Sequence, residues 1–85
     1  MVVEHYRDGD AAPVYRRFRD RGRLAPDGLG YVASWVDEDL RVCYQLMETD
    51  DPSLFDEWFA RWSDLGEIEV VPVIDSAETA RRVLG

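Results

Sequence analysis

Lysine is absent from this chain. All ten basic residues are arginine, and the eighteen Asp and Glu leave a formal net charge of -8 with a sequence pI near 4.4. A surface of that sign repels phosphate backbones, so nucleic acid and anionic membranes are excluded as expected partners. The arginines crowd into one stretch (Arg16, Arg17, Arg19, Arg21, Arg23). With no lysine elsewhere, we read this as a codon preference for arginine and not as an anion-binding patch. Cysteine occurs once, at Cys43, which excludes an intramolecular disulfide and fits a reducing compartment. No segment approaches the run of about 18 apolar residues that a membrane span requires. The opening Met-Val-Val-Glu-His-Tyr-Arg is too charged and too short in its apolar part for a secretory leader, so a cytoplasmic location is expected. Zinc-ligand spacing, a phosphate-binding Gly loop and a Ser-His-Asp arrangement are also missing, and neither a metal nor a cofactor is expected.

What is present is material for one core. A hydrophobic share of 46%, with 12% aromatic residues, suffices for a packed interior, and 85 residues allow a single domain, 1–85. A chain of this length buries only about 60% of the surface it exposes when unfolded. A partner subunit would add to that.

Val2 to Arg7 reads as a first strand that ends at Asp8-Gly9. Asp10 then caps a helix to about Arg23, with Ala11, Val14, Tyr15, Phe18 and Gly22 on its apolar side and Arg16, Asp20 and Arg23 facing water. The turn-rich segment Leu24 to Gly30 precedes two strand-like runs, Tyr31 to Val36 and Leu40 to Thr49, around the acidic tip Asp37-Glu38-Asp39. With a two-residue loop, Trp35 would lie beside Val42, Ala33 beside Tyr44 and Tyr31 beside Leu46. Asp51-Pro52 starts a second helix, with the stripe Leu54, Phe55, Trp58, Phe59, Trp62 and Leu65, ended by Gly66. Glu67 to Ile74 forms the last strand, placed at a sheet edge by Pro72. Asp75 and Glu78 have capping-box spacing before a short C-terminal helix.

The order β-α-β-β-α-β, with right-handed crossovers, predicts an α+β ferredoxin-like sandwich whose antiparallel sheet runs 4-1-3-2, with helices on one face. The segments Tyr31-Val-Ala-Ser-Trp-Val-Asp-Glu-Asp-Leu40, Cys43-Tyr-Gln-Leu-Met-Glu-Thr-Asp-Asp-Pro52 and Phe55-Asp-Glu-Trp-Phe-Ala-Arg-Trp62 resemble the bacterial domain-of-unknown-function family 3303. The resemblance implies short bacterial proteins with a fold like the dimeric α/β barrels. It implies no established activity and no catalytic motif.

By the parity of the hairpin, Ser34, Cys43 and Gln45, with Val32, Val36 and Met47, share one sheet face, which we assign to the side without helices. There they would line a ligand cavity between the sheets of a homodimer. Trp35, Tyr31 and Tyr44 would then pack with Trp58 and Trp62 in the core. Glu4 and Tyr6 share one face of the first strand and His5 takes the other, so that His5 or Glu4 could act as a base while Tyr6 or Gln45 orients a substrate. Cys43 could be a nucleophile only if His5 lay across the neighbouring strand, and a small buried hydrophobe is the simpler reading. Asp37–Asp39 and Asp50–Asp51 sit at opposite ends of one strand, about 35 Å apart, too far to share an ion. Three functions compete: a non-catalytic domain that binds a small apolar or aromatic molecule, a cofactor-independent oxygenase or isomerase, and an acidic protein-protein interaction module.

Overall fold

The computed structural model describes Met1–Gly85. Strand β1 spans Val2–Tyr6, helix α1 Ala12–Arg21, β2 Gly30–Val36, β3 Val42–Glu48, helix α2 Ser53–Phe59, β4 Gly66–Val70 and helix α3 Ser76–Leu84. The four strands form one sheet in the order β2-β3-β1-β4, which is 4-1-3-2 read from the other edge. Every neighbouring pair is antiparallel. This is the α+β arrangement that the element order predicts.

Local chemistry sets the boundaries. An Asp10 carboxylate oxygen accepts from the Ala12 amide at 3.0 Å, and Pro13 sits in the first turn of α1, where its missing N–H costs nothing. The Asp51 carboxylate accepts from both the amide and the hydroxyl of Ser53 at the start of α2. α2 ends earlier than its apolar stripe suggests: its regular turns stop at Phe59, and a series of tight turns carries Trp62 and Leu65 to β4. Gly66 therefore opens β4 instead of closing α2. A Cβ there would stand 2.6 Å from the His5 carbonyl oxygen, so glycine lets β4 close against β1.

The hairpin tip is longer than a two-residue loop. Leu40 takes a left-handed conformation (φ 59°), and the Asp37 carboxylate accepts from the amides of Arg41 and Val42, each at 2.8 Å. Trp35 consequently pairs with Tyr44 and Ser34 with Gln45, a shift of two residues that keeps Trp35 with Tyr44 on one face and Ser34 with Gln45 and Cys43 on the other. A bulge between Tyr31 and Ala33 moves Tyr31 across the strand, opposite Met47. Its hydroxyl lies 2.9 Å from that of Ser34. β4 stops at Val70, four residues short of the expected end. One further pair of hydrogen bonds, between Met1 and Val71, precedes Pro72.

The buried core is small: Val2, Tyr6, Val14, Leu29, Cys43, Met47, Trp58 and Trp62. It lies between the sheet and the helices. Here one expectation fails, because the face that carries Ser34, Cys43, Gln45 and Met47 is the face the helices cover. Trp35 (56% exposed) and Tyr44 (40% exposed) lie on the open face, not in the core with Trp58 and Trp62. The reason is steric. Trp58 and Trp62 come down over the row that carries Val2, Tyr6, Cys43 and Met47, all buried, and a sheet face covered in this way has no room for the ring of Trp35 as well.

The C-terminal arm lies apart from this core. Beyond Val71 no residue is buried, and Val73, Ile74, Val83 and Leu84 are 47–86% exposed. The radius of gyration of 14.3 Å exceeds the roughly 12 Å of a compact chain of this length, in line with extents of 46 × 31 × 18 Å.

Candidate functional site

The alternation of β1 sends Val2, Glu4 and Tyr6 to the helix side. The ladder sets Glu4 opposite Cys43 on β3 and Ile68 on β4, and the neighbouring row joins Ser34, Gln45 and Val2. α1 contributes Val14, Tyr15 and Phe18 from above, and the α2 region contributes Trp58, Phe59 and Trp62. Together with Arg23 these residues enclose a cavity of about 230 Å³, ten of whose fourteen lining residues are hydrophobic.

The walls are fixed in position. The indole N–H groups of Trp58 and Trp62 both donate to the Arg23 carbonyl, each at 2.9 Å. Arg17 lies over the Trp62 ring at 5.5 Å, and its guanidinium grips the Asp64 carboxylate in a two-point ion pair at 2.8 and 2.7 Å. The same pairing holds the Asp64 carboxyl below the usual carboxylate range. At the mouth, the Arg23 guanidinium stands 3.7 Å from the Tyr31 ring centre and 5.1 Å from that of Phe18. Arg23 is thus half-buried against aromatic rings and not turned to water with Arg16 and Asp20.

Glu4 is the anomaly. It is drawn into an apolar, aromatic-walled space, and burial pushes its carboxyl up to about 7, with no cation or hydrogen-bond donor of the chain offsetting the cost. None of the five ion pairs includes it. Tyr6 stands beside Cys43 and Tyr15. Desolvation, followed by those two neighbours, raises its hydroxyl far above the ordinary phenol. The Cys43 thiol is raised as well, first by burial and then by the nearby Glu4 carboxylate, against a hydrogen bond from Tyr6 and the charge of Arg23. Cys43 therefore stays protonated at neutral pH, as a buried thiol does.

The structure brings together Glu4, Tyr6, Ser34, Cys43 and Gln45, five of the residues singled out from sequence, in one cavity inside the subunit and not between two sheets. It separates two others. His5 is exposed on the opposite face, paired with Val42 and Glu67, so it cannot activate Cys43. Met47 is buried, and its sulfur accepts from the Gln45 amide at 3.3 Å, but it does not line the cavity. Tyr15, Phe18 and Arg23 were not expected there; helical spacing put the first two in a core, and nothing in the sequence marks Arg23 as curling back over Tyr31.

The cavity can hold a small ring and offer it one carboxyl group that gains or loses a proton near neutrality. No helix is long and apolar enough to cross a membrane. No curated protein matches the chain. No solved structure matches it either. A family model does match, over residues 1–84, and by that match the chain belongs to the family described as Domain of unknown function (DUF3303).

Proposed function

We propose that the chain binds a small aromatic or apolar molecule in the cavity between its sheet and helices, with Glu4 as the polar anchor. The observation that carries this reading is the combination of an aromatic-walled space with a single unpartnered carboxyl group. Ligand sites are built this way, with apolar walls and few polar groups that fix orientation. At about 230 Å³ the cavity lies below the roughly 300–1,000 Å³ of drug-sized sites, so it suits a single ring. The test is calorimetric titration with 2-phenylethanol, for which saturable one-to-one binding is expected. Heat that never saturates at millimolar probe would refute the reading.

A second reading is favoured by the position of Glu4 on the pH scale. A carboxylate titrating near 7 is matched to taking a proton from a bound molecule and returning it at another atom, the core step of a cofactor-independent isomerase. Tyr6 and Gln45, on either side, would orient the substrate.

We propose further that the chain works as a homodimer. Only ten of 85 residues are buried, while Trp35 and Tyr44 on the open face, Val32 in the bulge, Leu40 at the hairpin tip and Val73, Ile74, Val83 and Leu84 on the arm stay exposed. Pairing two copies about a two-fold axis hides such surface without requiring another protein. The ligand cavity lies within each subunit and does not depend on that pairing.

A further inference from the structure

We infer that the molecule taken by this cavity is an organic cation, an amine that carries an aromatic ring or a short hydrocarbon arm, held by the Glu4 carboxylate and the surrounding aromatic side chains. The inference rests on the ligand-binding reading above and names the class of ligand.

Three features of the cavity converge on positive charge. The cavity holds one carboxyl group that no cation of the chain reaches. A ligand ammonium supplies the missing partner, and an ion pair shielded from water is stronger than one at the surface. The second is the wall itself, lined by the aromatic side chains Tyr6, Tyr15, Phe18, Trp58, Phe59 and Trp62, a residue type whose rings attract cations. Thirdly, the rings at the rim already hold cations of the chain: Arg23 over Tyr31 and Phe18, and Arg17 over Trp62. The overall charge of -8 raises the local concentration of a cationic ligand around the protein.

The other charged or titratable groups that face Glu4 do not compete. Tyr6 on β1 and Cys43 on β3 are held protonated. Tyr15 on α1 lines the cavity and carries no positive charge, and Arg23, after α1, is engaged by the rings of Tyr31 and Phe18. The α2 region and β4 contribute only Trp58, Phe59, Trp62 and Ile68.

Calorimetric titration with three probes of one shape tests this: 2-phenylethylammonium, neutral 2-phenylethanol and anionic phenylacetate, at pH 8 where Glu4 is ionised. The ammonium should bind roughly tenfold or more tightly than the alcohol, the increment of a charge-assisted hydrogen bond. Glu4→Gln should reduce that ratio to near one while still binding the alcohol. A readout on the unmodified protein backs up the variant. At pH 6 Glu4 is mostly protonated, so binding the ammonium should release close to one proton, measured in two buffers of different ionisation heat, and binding the alcohol should release none. Equal affinity for ammonium and alcohol would overturn the cation assignment and leave the cavity reading intact. Preference for phenylacetate would overturn it in favour of Arg23 as the recognising group. Binding of none of the three would overturn the cavity reading, and this inference with it.

Discussion

At the scale of single residues, Glu4 makes the sharpest claims. A carboxyl group whose folded value is raised to about 7 binds more protons in the folded chain than in the unfolded one between its ordinary value and 7. In that window the folded state loses ground as pH rises, and the loss is complete above about 8. A denaturation midpoint that falls between pH 5 and 8 is therefore expected. Glu4→Gln should flatten the fall and stabilise the protein at pH 8 by about 1–2 kcal/mol, the full shift being discounted because the carboxyl is partly open to solvent. A midpoint that falls equally in wild type and variant would show that the fall belongs to other groups. Cys43 gives the second residue-level prediction. It is 8% exposed, with its thiol raised by burial, so a maleimide at neutral pH should modify it slowly in the native protein and rapidly once the protein is unfolded. Fast labelling of the folded chain would contradict its placement.

At the scale of elements, two close approaches position the cavity. Gly66→Ala puts a methyl group against the His5 carbonyl in the β1–β4 pairing and should cost about 1–3 kcal/mol, read as a shift in denaturation midpoint. Trp58→Ala, which removes a ring 5% exposed and its bond to the Arg23 carbonyl, should cost about 3–5 kcal/mol. A midpoint change no larger than that of a surface substitution would contradict either placement. The elements themselves were legible in the sequence because their signals are local: Asp51 before Pro52, the stripe from Leu54 to Leu65, the turn formers between Leu24 and Gly30. Strand parity was legible too, and it correctly grouped Ser34 with Cys43 and Gln45. The side on which that group lies was not. Both faces of the sheet are apolar along β3, where Val42, Tyr44 and Leu46 alternate with Cys43, Gln45 and Met47, so hydrophobicity does not distinguish them. Packing distant in sequence decides it: the α2 region brings the indoles of Trp58 and Trp62 over the face that carries Val2, Tyr6 and Cys43, and Trp35 and Tyr44 are left on the open one. The ends of elements were missed for another reason, since the left-handed Leu40, the bulge before Ala33 and the tight turns after Phe59 are tertiary solutions with weak local signatures.

At the scale of the whole molecule, the proposals above assign the two sides of the sheet different roles: ligand binding in the cavity under the helices, and self-association through the open face, where Trp35 and Tyr44 are exposed, together with the exposed C-terminal arm. Light scattering at micromolar concentration should find a single species at twice the 9.8 kDa chain mass. A species at one chain mass would refute the dimer and leave the cavity untouched. That separation makes the central claim, that the functional site lies beneath the helices, open to one direct measurement. The chain has three tryptophans, and the fold divides them: Trp58 and Trp62 line the cavity, while Trp35 stands on the open face. Nitrogen-15 labelling of tryptophan gives three indole N–H signals in a nuclear magnetic resonance spectrum, each followed during titration with 2-phenylethanol. The account predicts that the signals of Trp58 and Trp62 shift and saturate together while that of Trp35 stays in place. Movement of the Trp35 signal alone would put the ligand on the open face and contradict the account.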